Sequence, residues 1–398
     1  MGTLQLLIAG GGIGGLAGAL AAARAGWEVR LYERAAQFSE IGAGIQLGPN
    51  ATRVLQGWGL EADLRAVAAF PERLQVRDAG SGAELGALPL GARTLQRYGA
   101  PYATVHRADI HRLLYRAAAR QPGVHFKLDS GLSDYSDDGR AVRVKTVPGA
   151  EVEGDALLAA DGLWSGLRQQ LLGDGPPRVT DHLAYRAMLS QAELPAALRS
   201  QQVTAWLGPD LHVVHYPVRG GDWLNLVAIV HGAPPPDPAN WDHAANAADL
   251  ARALQGSCAP LRDLIAAAEL ASINPQPWRL WPLADRAPVA GPHQMAAGRV
   301  ALLGDAAHPM RPYLAQGAGM AIEDAAELGR ALAMDAVDVA TRLKRYALAR
   351  WQRCARVQAR SQRNGQIFHS SGLTRLGRNA SIRLLGERVL DVPWLYSG

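Results

Sequence analysis

The chain has 398 residues, of which 48% are hydrophobic and 19% are charged, and its formal net charge is +5. This composition is typical of a globular protein and excludes extensive disorder, and the length leaves room for two or three domains. Cys258 and Cys354 lie too far apart in sequence for a disulfide framework or a CxxC redox or zinc motif, and we predict no metal site.

The N-terminus leads directly into an apolar strand and a glycine-rich loop. We predict a strand over residues 6–9, the loop GGGIGG over residues 10–15, a helix to about Arg24 and a second strand over Glu28–Tyr32. The apolar run is far shorter than a membrane span, and no basic leader with a small-residue cleavage site precedes it. We therefore expect a cytoplasmic protein without a membrane segment.

The glycines of this strand, loop, helix and strand unit predict a dinucleotide site. Gly10 allows the tight turn, and Gly12 lets a pyrophosphate approach the backbone. Gly15 lets the helix and strand pack closely, and Gly14 belongs to the same candidate loop. The phosphates would bind free N–H groups at the positive end of the helix.

An acidic residue ends the second strand. Glu33 follows Gly15 by 18 positions, where a carboxylate can accept hydrogen bonds from the ribose hydroxyls of an adenosine. Arg34 can contact the adenine or another part of the cofactor. The first motif does not decide between FAD and NAD.

Short alternating segments in the middle of the chain predict a mostly antiparallel sheet, with strands near residues 185–190, 203–206, 212–217 and 225–230. In the segment LHVVHYPV, the period of two places His212 and Tyr216 on one face and His215 on the other. We therefore expect His212 and Tyr216 to point into one pocket. The proline-rich residues 232–238 predict a surface loop.

A second candidate binding motif follows a predicted strand over residues 300–303. Gly304 lets the chain turn, so that Asp305 projects from the carboxyl end of the strand, where open α/β sheets bind ligands. Asp305 can accept hydrogen bonds from cofactor hydroxyls there.

The helix that follows this motif begins near Gln316, Gly317 and Ala318. Its positive N-terminal end suits a ring that carries developing negative charge, as a reduced flavin does. A flavin dinucleotide is long enough to reach both motifs, so we predict FAD as the cofactor.

From about residue 341 the chain is predicted to be helical and rich in arginine. Two interpretations stay open for this charge run: a solvated helix face, or a packing or dimer-facing helix whose arginines pair with acids. No aromatic platform or known binding module accompanies the arginines, so we predict no nucleic-acid partner.

Three segments together resemble the signatures of the class A flavoprotein aromatic hydroxylases. They are GGGIGG with Glu33 and Arg34, DGLWSGLR at residues 161–168, and GDAAHP at residues 304–309 running on to Gln316 and Gly317. The segments at residues 42–51, 106–111 and 211–221 resemble the branch of the salicylate hydroxylases, the 3-hydroxybenzoate 6-hydroxylases and the 6-hydroxynicotinate 3-monooxygenases.

The resemblance implies a set of cofactor contacts beyond the two motifs. Arg107, Asp161 and Asp305 would contact FAD, and Gln46 is a further candidate for the cofactor site. NADH or NADPH would serve as co-substrate without a fold of its own, in agreement with the lack of a second GxGxxG.

The resemblance also implies the chemistry. Reduced flavin would react with O2 to form a C4a-hydroperoxide, which transfers oxygen to the ring of a small aromatic acid. A phenol reacts better as its phenolate, so a base near the phenolic oxygen would contribute on the order of 10²–10⁴ in rate. We expect His212 to be the proton acceptor or relay, Tyr216 to be its hydrogen-bonding partner, and Tyr102 to line the same pocket.

Two positions bear on the substrate. Pro312 stands where related 3-hydroxybenzoate enzymes tend to carry glutamine, which weakens that substrate and leaves salicylate-like acids open. Gln46 stands where the hydroxynicotinate enzyme carries histidine, which argues mildly against a pyridine. The alternatives are a hydroxylase of an N-heteroaromatic such as 6-hydroxynicotinate, a flavoprotein oxidase or dehydrogenase, and a non-catalytic FAD module.

The fold class we expect is mixed α/β, with a Rossmann-like FAD-binding domain, an inserted antiparallel-sheet substrate domain and a C-terminal helical region. The FAD domain is predicted over residues 1–72, 98–178 and 276–340, the substrate domain over residues 73–97 and 179–275, and the helical region over residues 341–398. We expect the substrate pocket between the two domains, in a monomer or homodimer.

Overall fold

A computed structural model describes residues 2–38, 43–147, 149–240, 242–272 and 276–397. Gly42, the first residue of one segment of the resemblance, lies outside the described residues. Among those residues, no helix is both long enough and apolar enough to cross a membrane.

The strands run in chain order as β1 (Gln5–Ala9), β2 (Glu28–Tyr32), β3 (Gly44–Leu47), β4 (Ala68–Ala69), β5 (Arg73–Asp78), β6 (Glu84–Pro89), β7 (Ala103–His106), β8 (Val124–Lys127), β9 (Leu132–Asp137), β10 (Val142–Thr146), β11 (Glu151–Gly154), β12 (Ala156–Ala159), β13 (Arg178–Ser190), β14 (Val203–Gly208), β15 (Leu211–Val218), β16 (Trp223–His231), β17 (His243–Ala244), β18 (Arg279–Asp285), β19 (Ala296–Ala297) and β20 (Val300–Leu302). The helices are α1 (Ile13–Arg24), α2 (Pro49–Gly57), α3 (Glu61–Val67), α4 (Gly91–Tyr98), α5 (Arg107–Ala119), α6 (Gly166–Leu172), α7 (Ala247–Ala253), α8 (Ala259–Ala271), α9 (Gly317–Leu332), α10 (Val339–Phe368), α11 (Gly372–Leu385), α12 (Glu387–Leu390) and α13 (Pro393–Tyr396).

The chain forms two compact units. The first comprises Met1–Glu40, Ala108–Arg178 and Ala284–Ser361, and the second comprises Ile41–Arg107, Val179–Leu283 and Gln362–Gly398. The structure thus groups residues 41–107 with the central sheet, whereas the sequence placed most of them in the FAD domain. Compactness does not identify a ligand, so the functional division into an FAD domain and a substrate domain stays a prediction.

The first unit contains a six-stranded sheet in the order β19-β20-β12-β1-β2-β8, parallel except for the β19–β20 pair. Its central strands are continuous apolar runs with buried side chains, as expected for a parallel sheet covered on both faces. Helices α1 and α9 pack closely, because a Cβ at Gly329 would lie 3.1 Å from the carbonyl oxygen of Ala21. The predicted strand, helix and strand at the N-terminus are confirmed as β1, α1 and β2.

The second unit contains an eight-stranded sheet in the order β17-β18-β13-β16-β15-β14-β5-β6. The β17–β18, β13–β16, β15–β16, β14–β15 and β5–β6 pairs are antiparallel, and the β14–β5 pair is parallel. Alternate residues of β15 face opposite clusters, since Val213 packs with Leu226 and the buried face of α8, while Tyr216 packs with Tyr102 and Met188. A small sheet, β3-β7-β4, completes the unit. The mixed α/β fold class and the antiparallel central sheet are confirmed.

The arginines of α10 divide between the two interpretations left open by the sequence. Arg345 and Arg363 are exposed, whereas Arg350 is buried and donates to Asp324 at 2.7 Å and to Glu323 at 2.8 Å. The helix therefore has a solvated face and a face that packs through buried ion pairs.

Candidate functional site

The glycine loop after β1 leaves its backbone accessible. Gly10 has φ of +96°, a conformation that favours glycine, and a Cβ on Gly15 would lie 1.9 Å from the carbonyl oxygen of Gly10. Gly12 precedes α1 without a side-chain cap, and a Cβ there would meet nothing within 4 Å. Uncapped N–H groups therefore face open space at the positive end of the helix.

The carboxylate that ends β2 lies against this loop. Glu33 accepts hydrogen bonds from the N–H of Gly11 at 2.7 Å and from the N–H of Ala35 at 2.8 Å. A carboxylate has about four acceptor positions, so two are left for hydroxyl groups of a ligand. The buried ring of His111 lies with Nε2 2.7 Å from the carbonyl oxygen of Gly11, while Arg34 is exposed.

Asp161 follows β12 at the same edge of the sheet as Gly10, and a Cβ on Gly10 would lie 3.0 Å from its Cα. Its side chain accepts hydrogen bonds from Ser165 and from the N–H groups of Gly166 and Leu167, the last a long contact of 3.5 Å, whereas its buried Oδ1 has no hydrogen-bond partner among the described residues. Burial raises the pKa of this carboxyl. An orphaned buried oxygen is unusual in a folded protein and indicates a missing donor from a ligand.

The second motif follows β20. Gly304 has φ of +63°, and Asp305 is exposed close to the start of α9, where a Cβ on Gly317 would lie 3.9 Å from its Oδ1. The buried Gln316 precedes the helix without capping it through its side chain, and Ala318 lies in the first turn. The structure therefore brings Asp305 to the N-terminal end of α9.

The residues of the first unit fit a dinucleotide cofactor. The loop at Gly12 offers bare N–H groups and space, Glu33 has acceptor capacity left, and Asp161 has an unpaired buried oxygen. The uncapped start of α9 offers a second positive end beside Asp305. The loop would hold phosphates, the two carboxylates would accept hydrogen bonds from the cofactor, and the start of α9 would hold an electron-rich ring.

In the second unit, Gln46 belongs to a buried tyrosine cluster. Tyr102 donates its hydroxyl hydrogen to Oε1 of Gln46, and the Gln46 side chain also hydrogen-bonds to Tyr216. Tyr216 donates to the carbonyl oxygen of Gly44 at 2.7 Å, and Asn225 accepts from the N–H of Gly44 at 2.6 Å. Burial raises the pKa of both tyrosines, so both hydroxyls stay protonated donors.

A guanidinium lies beside this cluster. Arg186, on β13, stacks on the ring of Trp281 with Cζ 3.4 Å from the ring centroid, and its buried Nε has no hydrogen-bond partner. Burial and the like charge of Arg107 lower the pKa of Arg186 to about 9, whereas the electrostatic interaction with Tyr216 acts to raise it. No carboxylate among the described residues forms an ion pair with Arg186, and the residue is only partly buried. Arg107 and Gln46, which the sequence assigned to the cofactor, both lie in the second unit.

The structure places His212 apart from Tyr216. The two lie on one face of β15, but four residues along a strand correspond to about 13 Å. His212 instead contacts the turn after α10, with Nδ1 2.7 Å from Nε2 of His369. Burial lowers the pKa of His212 to about 3, with a further contribution from His182.

Residues 3–361 match the sequence model of the family described as an FAD binding domain. The chain belongs to this family. The family and its cofactor agree with the fit of the first unit to a dinucleotide, so the predicted resemblance and the prediction of FAD are confirmed. This FAD-binding protein is an enzyme, and its relatives are aromatic-ring monooxygenases.

Two sequence relatives and one solved structure are similar to the FAD-binding chain over most of its length. It is 39% identical to a 3-hydroxybenzoate 6-hydroxylase of Polaromonas naphthalenivorans (strain CJ2), over 99% of this chain and 96% of the relative. It is 36% identical to a 6-hydroxynicotinate 3-monooxygenase of Bordetella bronchiseptica (strain ATCC BAA-588 / NCTC 13252 / RB50), over 90% of this chain and 91% of the relative. A solved structure of Klebsiella pneumoniae HpxO complexed with FAD and uric acid matches with a TM-score of 0.85 and 27% identity, over 99% and 96% of the two chains.

Sequence reasoning about this FAD enzyme missed several site residues. Arg168, although quoted within a motif, received no role, and its guanidinium donates to the carbonyl oxygens of Ala306 and Ala307 at 2.9 and 2.5 Å. It thereby ties the Asp161 segment to the Asp305 segment. Arg186 and Asn225 carried no recognisable local signal, because their partners are distant in sequence.

The start of α9 in this enzyme rests on a buried ion network that sequence reasoning also missed. His308 contacts Asp324 at 2.5 Å, and Arg350 donates to the same carboxylate at 2.7 Å. Burial alone would lower the pKa of His308, but Asp324 raises it well above its usual range. The paired charges fix α9 below Asp305, in keeping with a rigid cofactor-binding edge.

Proposed function

We propose that this protein is an FAD-dependent monooxygenase that hydroxylates a small phenolic aromatic acid of the 3-hydroxybenzoate or salicylate type, with NADH or NADPH and O2 as co-substrates. The observation that carries the proposal is the guanidinium of Arg186, with its buried and unpartnered Nε, beside the tyrosine cluster of Gln46, Tyr102 and Tyr216. A cationic group and neutral hydroxyl donors in one apolar setting suit a ring that has both a carboxylate and a phenolic oxygen.

Arg186 is the proposed anchor of the substrate carboxylate. A partly buried charge without a counter-ion carries a desolvation cost, and a bound carboxylate would offset that cost through a bidentate ion pair. The Nε that lacks a hydrogen-bond partner is one of the donors that such a pair uses. The stacking on Trp281 fixes the plane of the guanidinium and thus the direction of the pair.

The two tyrosines are the proposed contacts for the rest of the substrate ring. Tyr216 is held by Gly44, and Tyr102 is held by Gln46, so both hydroxyls are oriented before a ligand arrives. Because their raised pKa values keep them protonated, they act as hydrogen-bond donors or as relays rather than as bases. When bound, FAD supplies the activated oxygen that is transferred to the ring.

His212 remains the proposed proton acceptor or relay from the sequence. Its lowered pKa keeps the ring neutral, so it is able to accept a proton, but it would hold that proton only briefly. We also propose a cytoplasmic enzyme, consistent with NAD(P)H as reductant, that acts as a monomer or homodimer.

The test is turnover with a defined panel of substrates. Purified, FAD-loaded protein is mixed with NADH or NADPH and with 3-hydroxybenzoate, salicylate or 6-hydroxynicotinate, and both reductant loss and products are followed. We expect a phenolic acid to stimulate reductant oxidation and to yield a product with one added oxygen atom. If no phenolic acid stimulates oxidation, or if only 6-hydroxynicotinate does, the proposal is wrong.

A further inference from the structure

A cluster of four histidines lies in the second unit, away from the tyrosine cluster. His182 on β13 pairs directly across the sheet with His231 on β16, and their ring centroids lie 4.3 Å apart. His369, in the turn after α10, lies with its ring centroid 5.0 Å from those of His182, His212 and His231. We call His182, His212, His231 and His369 the histidine cluster.

The backbone around the cluster is held in place. The carbonyl oxygen of His369 accepts from the N–H of Asp210 at 3.1 Å, and Arg378 donates to the carbonyl oxygen of Phe368 at 2.6 Å. His182 and His231 belong to two adjacent strands of the central sheet. The rings are therefore presented by rigid elements rather than by a loose loop.

The nitrogen positions suit a metal ion. Nε2 of His231 lies 2.8 Å from Nδ1 of His369, and His182, His231 and His369 each offer one nitrogen within 4.8 Å of the others. Metal–nitrogen bonds of 2.0–2.1 Å in a tetrahedral site place the nitrogens about 3.3 Å apart. Small side-chain rotations would therefore bring the three nitrogens to ligand distances.

The opposite ring nitrogens have the partners that metal-binding histidines normally have. Nδ1 of His231 lies 2.8 Å from Oδ2 of Asp181, and Nε2 of His369 lies 2.7 Å from Nδ1 of His212. With a metal bound at Nε2 of His231 and Nδ1 of His369, the opposite ring nitrogens carry the hydrogens. Nδ1–H of His231 then donates to the Asp181 carboxylate, and Nε2–H of His369 donates to the neutral imidazole of His212. Such outer partners fix the tautomer and the ring orientation of the ligands.

The charges around the histidine cluster also favour a cation. The carboxylate of Asp181 lies against two of the rings, with Oδ2 2.8 Å from Nδ1 of His231 and Oδ1 3.6 Å from Nε2 of His182. His231 is 34% exposed, which gives an ion access from solvent. A second convergent group among the described residues, His308, Asp324 and Cys354, is fully buried, and Arg350 already forms an ion pair with the Asp324 carboxylate. That second group is therefore a poor cation site.

We propose that His182, His231 and His369 bind one divalent transition-metal ion of the kind that prefers imidazole, such as Zn²⁺, Co²⁺ or Ni²⁺. Asp181 and His212 orient the ligands from outside, and a water molecule completes the coordination. The prediction of no metal site rested on the two distant cysteines, whereas the proposed ligands come from β13, β16 and the turn after α10 and show no short spacing. The ion is not part of the hydroxylation chemistry.

The test measures zinc binding to the FAD-loaded protein after removal of metals with a chelator. Equilibrium dialysis followed by elemental analysis should find one equivalent of Zn²⁺ per chain. His231→Ala should abolish this binding, whereas His125→Ala, which removes an exposed histidine on β8, should leave it unchanged. Flavin content and melting temperature show whether each variant is folded.

A second variant keeps all three ligands. Asp181→Asn changes a side chain that is 65% exposed, so it does not threaten folding, and the loss of an outer partner should weaken zinc binding by about 10- to 100-fold. The proposal is overturned if wild type binds no stoichiometric zinc, or if folded His231→Ala binds as wild type does. An unchanged affinity in Asp181→Asn would also contradict the proposed ligand geometry. None of these results depends on turnover.

Discussion

Replacing Arg186 by methionine tests the substrate proposal most directly. Methionine keeps a long, unbranched side chain that can still lie on the ring of Trp281, but it removes the guanidinium. The substitution thus separates the loss of charge from the loss of packing. If Arg186 anchors a carboxylate, only ligands that carry one should be affected.

The expected magnitude follows from the contact that is lost. A hydrogen bond to a charged group contributes about 1.5–3 kcal/mol, and 1.36 kcal/mol corresponds to a factor of ten, so KM for the acid should rise about 10- to 150-fold. The free energy of unfolding should not fall, because Arg186 has no ion-pair partner among the described residues and its buried Nε has no hydrogen-bond partner. A variant that is as stable as wild type but binds the acid poorly is the expected combination.

The assay compares 3-hydroxybenzoate with the neutral 3-hydroxybenzamide, by reductant oxidation and by product analysis. Arg186→Met should lose its preference for the acid over the amide, whereas Arg345→Met, an exposed arginine on α10, should behave as wild type. An equal loss for acid and amide would show that Arg186 shapes the pocket instead. Unchanged KM values for both would refute its role as anchor.

Three further predictions address other parts of the molecule. Tyr216→Phe removes the donor to Gly44, and it should lower the free energy of unfolding by about 1 kcal/mol and lower kcat/KM for the phenolic acid, as measured by urea unfolding and steady-state kinetics. Burial lowers the pKa of His212 from 6.5 to about 3, so below pH 6.5 the unfolded chain binds a proton that the folded chain does not. Stability should therefore fall as pH drops from 6.5, by up to about 1.4 kcal/mol per pH unit, and urea unfolding of His212→Gln between pH 5 and 7 should show a flatter pH dependence. The same variant should lower kcat if His212 accepts or relays the phenolic proton, and an unchanged kcat would end that proposal. Glu33→Ala should weaken FAD binding about tenfold or more in a fluorescence titration, because its carboxylate holds Gly11 and offers acceptors for ribose hydroxyls, and unchanged affinity would contradict that assignment.

The sequence predicted those elements whose signals are local. The bounds of β2 and the start of β20 agree with prediction, because an apolar run that ends in glycine or an acid has few other stable arrangements. The loop at Gly10 and Gly15 was also predictable, since a side chain at either position would collide with nearby backbone. The division of the chain was harder, because residues 41–107 join the central sheet through the β5–β14 pair, a contact between segments far apart in sequence.

The candidate site was predictable residue by residue but not as a set of contacts. Gln46 was assigned to the cofactor by resemblance, whereas in the structure it connects Tyr102 and Tyr216. Arg186 lies in a strand whose residues on both sides are buried, and nothing in the local sequence assigns it a ligand. What makes it unusual is its stacking on Trp281, which depends on strand order rather than on spacing.

The period of two in β15 illustrates the limit of pattern reasoning about function. Alternation correctly places His212 and Tyr216 on one face, but it specifies only direction and not distance along the strand. Over about 13 Å the face passes from the tyrosine cluster to the histidine cluster, so the two residues meet different neighbours. A direct base at His212 would require a ligand long enough to reach both clusters, which one benzoate ring is not. A relay through intermediate groups is therefore the form in which the role of His212 is physically reasonable.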